Sequence, residues 1–212
     1  MSEFTSGTIL LAKDKEAVRK HAAKGSVMMQ LNDKFVVYLS EDVYIGEIIP
    51  ESMIQLSQEI PLLYFYNFED HHWGYRLLAQ GEEAADLHIA YEYEEEIAYS
   101  IAKKKYPDMG FNELYFGGLL EEIREELEAG SVFKESFEAV FNNCHLELFS
   151  LLDVSDEQIT RLKEILNIDY IHHDISEGME LSEEFKTILG IEEMSFIRHE
   201  RVVESGEYDE LF

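Results

Sequence analysis

The side chains able to bind metals or carry protons near neutral pH are few in this chain: eight histidines and one cysteine. His71 and His72 follow Glu69 and Asp70 directly. Two imidazoles and two carboxylates in one turn are donor types that can hold a divalent cation. Adjacent residues of an extended chain point to opposite sides, however, so the leading expectation here is a polar, solvated hairpin turn. Cys144 falls on the apolar stripe of an expected helix, with Glu138 and Glu147 close by. A nucleophilic thiolate needs an electropositive setting, and this is the opposite, so an inert buried thiol is expected. A lone cysteine also excludes an intramolecular disulfide, which fits a reducing, cytoplasmic setting.

The motifs of the commonest chemistries are absent. There is no GxGxxG, no P-loop, no HExxH and no GxSxG elbow. His145-Leu146-Glu147 has the HxE form used by zinc deaminases, but the PCxxC that must accompany it is missing. The segment His172-His173-Asp174-Ile175-Ser176-Glu177 resembles the His-Asp signature of HD-type metal phosphohydrolases. His145, 28 residues before His173, has a spacing that suits the family's first histidine, and Asp209 would stand as its late aspartate. The resemblance implies a metal at His145, His173 and Asp174, and metal-activated water attacking phosphorus. In that family the pair lies on a helix. Here it follows a helix stop at Asn167 and reads as an extended run, so polar residues on the outer face of a strand are the leading expectation. No catalytic residue and no cofactor are assigned.

Charge narrows the partners. Forty-five acidic against 17 basic residues give a net charge of −28. Such a chain is repelled by nucleic-acid phosphates and anionic membranes, so neither direct nucleic-acid binding nor membrane attachment is expected. Residues 1–106 carry 18 acids and 10 bases, whereas residues 107–212 carry 27 and 7. The excess is densest at Glu121, Glu122, Glu125, Glu126 and Glu128, about two turns of one helix. A solvated helix face and a contact surface for a basic protein are both consistent with that patch. The start, Met1-Ser2-Glu3-Phe4, has neither the basic nor the apolar region of a signal peptide. The longest apolar run, Ile60 to Tyr66, is far short of the ~20 residues of a spanning helix.

These residues must be positioned by elements readable from patterning. Asp14 opens a helix to about Ala23. Val27–Leu31 and Phe35–Leu39 flank a hairpin turn, and Pro50-Glu51 starts a helix that stops before Pro61. Leu62–Tyr66, apolar at every position, reads as a strand covered on both faces. Trp73, Tyr75 and Leu77 alternate with Gly74 and Arg76, and Leu87, Ile89, Tyr91 and Tyr93 alternate with Asp86, His88 and Glu92, which completes a meander. A helix from Glu94 to Lys105 has acids at its start and lysines at its end, each matching the dipole. Two stripes follow. Phe116, Leu120, Ile123 and Leu127 form one, and Phe133, Phe137, Val140, Phe141, Cys144 and Leu148 the other, an expected helical hairpin. The tail repeats a helix–strand pattern: a helix capped by Ser155, then Tyr170–Asp174, and a helix opened by Ser182, then Phe196–Glu200. Leu211 and Phe212, at the end of an acidic tail, are able to dock.

The expected fold is therefore α+β. A mainly antiparallel meander with flanking helices precedes a helical hairpin and two short α–β units, with a boundary at Pro107 separating a sheet-rich part (1–106) from an acidic, mainly helical part (107–212). The leading function is a non-enzymatic, cytoplasmic interaction protein that binds a basic partner. In composition it is similar to bacterial toxin-immunity and anti-defence inhibitor proteins. Glu121, Glu122, Glu125, Glu126 and Glu128 are the expected contact residues, joined by Trp73 and Tyr75 if the aromatic sheet shows a surface. The alternatives are the HD-like phosphohydrolase and a small-ligand sensor with an apolar pocket at Trp73.

Overall fold

The structure is a computed structural model that describes residues 4–41, 49–68, 71–128, 130–167 and 178–212. It is α+β, built on a seven-stranded antiparallel sheet. Strands β1 (Phe4–Leu11), β2 (Val27–Gln30), β3 (Phe35–Leu39), β4 (Leu62–Phe68), β5 (His72–Ala79), β6 (Glu82–Ala90) and β7 (Glu210–Leu211) lie in the order β6-β5-β4-β1-β3-β2-β7. The expected meander is β4-β5-β6. Asn32 closes the β2–β3 hairpin, its Oδ1 accepting from the backbone N–H groups of Lys34 and Phe35. The docking segment at the chain end is β7, paired with β2.

Both faces of the sheet are buried, which explains the unbroken apolar run of β4. One face carries Leu10, Val36, Tyr38, Leu62, Tyr64, Tyr66 and Leu78 beneath α1 (Lys15–His21) and α2 (Glu51–Glu59). The other carries Ile9, Val37, Leu63, Phe65, Trp73, Tyr75, Leu77 and Leu87, and its cover comes from the second half of the chain. That cover includes α6 (Val132–Val140), a 3₁₀ helix Leu146–Leu152, α7 (Asp156–Ile165) and α8 (Gly178–Leu189). Phe185 of α8 is its centre. Its ring stacks on Phe65 (centroids 5.9 Å) and Tyr75 (5.4 Å) and meets Trp73 (5.3 Å) and Phe149 (6.0 Å). Trp73 and Tyr75 are completely buried here, which removes them from any contact surface.

A smaller core lies to one side. Ala98 and Ala102 of α3 (Tyr93–Lys105) pack with Leu114 of α4 (Phe111–Phe116) and Leu120 and Ile123 of α5 (Leu119–Glu128). The glutamates and lysines of α3 sit at the dipole ends expected for them. The helix expected to carry Phe116 and Leu120 on one stripe is instead two helices. Gly118, at φ +79°, breaks it, and Phe116 turns out to solvent. Cys144 is buried as expected but lies beyond the end of α6, in the turn before the 3₁₀ helix.

In the tail, Ser155 and Gln158 form the expected capping box of α7. Asn167 caps through its side chain, Nδ2 donating to the Lys163 and Glu164 carbonyls. Ser182 does not open α8. The helix begins at Gly178, and Ser182 is a buried interior residue that receives a hydrogen bond from Asn67 Nδ2. Phe196–Glu200 is not a strand, because Phe196 adopts φ +64° and α9 (His199–Ser205) starts three residues later. The expected strand Tyr170–Asp174 lies outside the described residues. Among the described residues, no helix is long and apolar enough to cross a membrane.

Phe185→Ala should destabilise the fold by about 3–5 kcal/mol, because it empties the space between four aromatic rings. Urea denaturation of the purified chain measures this, and Phe185→Leu should retain a large part of the loss.

Candidate functional site

Two surfaces have chemistry that the core does not consume. The first is the acidic face of α5. Glu121, Glu122, Glu125, Glu126 and Glu128 are all exposed, while Leu120 and Ile123 point into the small core. Three of the glutamates are partly compensated. Arg124 lies 3.2 Å from Glu128 and 4.0 Å from Glu121, and also reaches Glu95 at 3.1 Å, while Lys105 lies 3.4 Å from Glu126. Glu122 and Glu125 have no ion pair among the described residues. Immediately before α5, Phe111 stacks on Tyr115 (centroids 5.4 Å apart) and Tyr115 meets Phe116 edge to face (5.5 Å). They are 54%, 50% and 79% exposed. An aromatic cluster this open, on the helix that precedes uncompensated carboxylates, is an unusual use of surface.

The second is a cleft of about 370 Å³ at the end of the meander, on the face that α2 covers elsewhere. Its walls include Tyr66, His72, Arg76, Asp86, His88 and Glu96. Strand register builds it. Tyr66 pairs with Gly74 and Gly74 with His88, while His72 pairs with Ala90 one step along the ladder. His72, Gly74 and His88 thus share a face, and the two imidazole centroids lie 5.0 Å apart. Gly74 has a steric reason to be glycine, since a Cβ there would lie 2.1 Å from the Leu87 carbonyl and 2.5 Å from Tyr66 Oη. The missing side chain lets the Tyr66 ring cross the strand, so that its Oη sits 2.8 Å from His88 Nδ1 and 3.4 Å from the Leu87 carbonyl. Glu96 arrives from the first turn of α3. Arg76 on the wall is paired with Glu83.

The electrostatics of the cleft favour neutral imidazoles. Burial holds both His72 and His88 below the ordinary histidine range, and for His72 the neighbouring His88 adds to the effect. Glu96 acts in the opposite direction on His72, as Asp86 does on His88. Burial likewise pushes the Tyr66 phenol upward, so it stays protonated.

The residues singled out from sequence fall elsewhere. Cys144 has its thiol pushed up to about 11 by burial, the inert state expected of it. His145 is half exposed, in the left-handed region at φ +37°, with Nδ1 3.7 Å from Glu147. His173 and Asp174, with Glu69 and Asp70, lie outside the described residues. Asp209 accepts from the Gln30 backbone N–H at 2.6 Å, a structural role next to β7. His72 belongs to β5 rather than to a turn, and its neighbour in space is His88. His88, Glu96 and the open aromatics of α4 were not among the expected site residues. The sequence pattern put His88 on the outer face of a strand but His72 in a turn, and only strand register brings them together.

Two outcomes follow. The unfolded chain takes up protons at His72 and His88 near 6.5, whereas the folded sites resist protonation to lower pH. Thermal stability should therefore fall as pH drops from about 7 to 5.5, and H72N/H88N should flatten that slope. Gly74→Ala should cost about 1–3 kcal/mol in thermal or urea unfolding, because the new Cβ meets backbone rather than a side chain able to move. No protein-family model, curated protein or solved structure matches this chain.

Proposed function

We propose that this chain is a non-enzymatic interaction module that captures a basic protein partner in the cytoplasm, in the manner of an inhibitor or immunity protein. The observation that supports it is the exposure of Phe111, Tyr115 and Phe116 on α4 together with that of the uncompensated Glu122 and Glu125 on the next helix, α5. Aromatic anchors provide affinity when they are desolvated, and a surrounding field of one sign selects and steers the partner. The same field disfavours phosphate backbones, so the partner is a cationic protein rather than a nucleic acid. Long-range steering of this kind weakens as salt shortens the Debye length.

Capture from a cell lysate at low and high ionic strength, run in parallel with variants, tests the reading. The wild-type chain should retain high-pI proteins, and retention should fall as salt rises. Replacing Glu121, Glu122, Glu125 and Glu126 with Gln should slow association by about tenfold or more with little change in thermal stability. Phe116→Ser should accelerate dissociation. An acidic or salt-indifferent set of partners, or one held equally by both variants, would overturn the reading.

A further inference from the structure

The cleft residues are arranged for a role that the acidic face does not need. His72, His88 and Glu96 each offer a donor atom, and these atoms all lie within 4.8 Å of one another. They come from β5, β6 and α3, elements fixed independently by the sheet ladder and by the small core. A tetrahedral ion with bonds of about 2.0–2.1 Å holds its donors about 3.3 Å apart, so modest side-chain rotation closes the set. We propose that His72, His88 and Glu96 bind one divalent transition-metal ion of the zinc class.

Two features of the cleft support that assignment. A ligating histidine needs its other ring nitrogen fixed by a partner. Tyr66 Oη provides this for His88: it can donate its proton to the Leu87 carbonyl and accept from His88 Nδ1–H, which leaves Nε2 as the coordinating atom. Two imidazoles 5.0 Å apart would repel one another if both were charged, whereas a shared cation turns that proximity into coordination.

The donor set also selects the ion. Two nitrogens and one carboxylate suit Zn²⁺, Fe²⁺, Co²⁺ or Ni²⁺, whereas Ca²⁺ and Mg²⁺ call for oxygen ligands. The buried thiol of Cys144 is not one of the donors. Three protein ligands leave a position for water or a small oxygen-donor ligand entering through the cleft.

The test uses the full chain stripped with a chelator and titrated with Zn²⁺ by calorimetry, with Mg²⁺ as a control. One equivalent of Zn²⁺ should bind, and Mg²⁺ should not compete. Loss of either imidazole in H72A or H88A should weaken binding beyond the roughly 10–100-fold typical of an outer partner, and Y66F should fall within that range. Replacing the exposed His145 in H145A should leave binding unchanged. Ring-nitrogen NMR of the unaltered chain gives a reading that does not depend on how the variants fold. On addition of Zn²⁺, the His72 and His88 signals should shift while those of His21 and His199 stay in place. Absence of a stoichiometric site, binding unaffected by H72A and H88A, or equal shifts of all histidines would each overturn the assignment. None of these outcomes bears on the acidic face, so the two readings stand or fall separately.

Discussion

Phe185 is the contact that makes the two halves of the chain one structure. The sheet presents a wide apolar face that, among the described residues, α1 and α2 leave uncovered, since both lie on the opposite side. Exposed, that face would hold Trp73, Tyr75, Phe65 and Leu77 in water, a cost the fold could not sustain. The cover comes from beyond residue 130, and Phe185 locks it in place by inserting one ring among four others. Lys186, next to it and fully buried, is tied to Glu183 at 2.5 Å and to Ser195 Oγ at 2.6 Å, which holds α8 against the segment that follows.

With one face sealed by the second half of the chain, the other is free to be divided. α1 and α2 cover it over β1–β4 and reach as far as Leu78. Past them, the outward side chains change from apolar to His72, Arg76, Asp86 and His88, and the cleft begins where the cover ends. The charge is divided in a similar way. The densest acidic run lies on α5, which packs on the small core and not on the sheet, so like-charge repulsion there acts in solvent, where it is screened.

Much of the architecture was legible because it rests on local rules. The β2–β3 hairpin, the meander, the charged ends of α3 and the Ser155 capping box each follow from turn chemistry, period-two alternation or the helix dipole. The misreadings arose where a local rule met a tertiary demand. The stripe through Phe116 ignored Gly117-Gly118, whose backbone freedom ends one helix and starts another. Ser182 reads as a cap, yet it is buried because Asn67 of β4 requires a partner there. Phe196–Glu200 has strand composition, but Phe196 turns left-handed and releases the chain into α9. For the cleft, the sequence put His88 on the outer face of a strand but left His72 in a turn. Their approach depends on how β5 and β6 are registered, and Glu96 on where α3 begins, both set by pairing across the sheet.

The position of β1 has a kinetic side. The first strand of the chain occupies the middle of the sheet, bonded to β3 on one edge and β4 on the other. Its pairing with β3 closes a short stretch of chain, whereas its pairing with β4 joins Phe4 to Phe68. During synthesis, then, β1, β2 and β3 can associate while one edge of β1 is still bare, an apolar edge that invites a foreign strand. Non-local pairing of this kind slows folding. Assembly of the sheet waits for β4, and a brief need for shelter between the two events is written into the strand order.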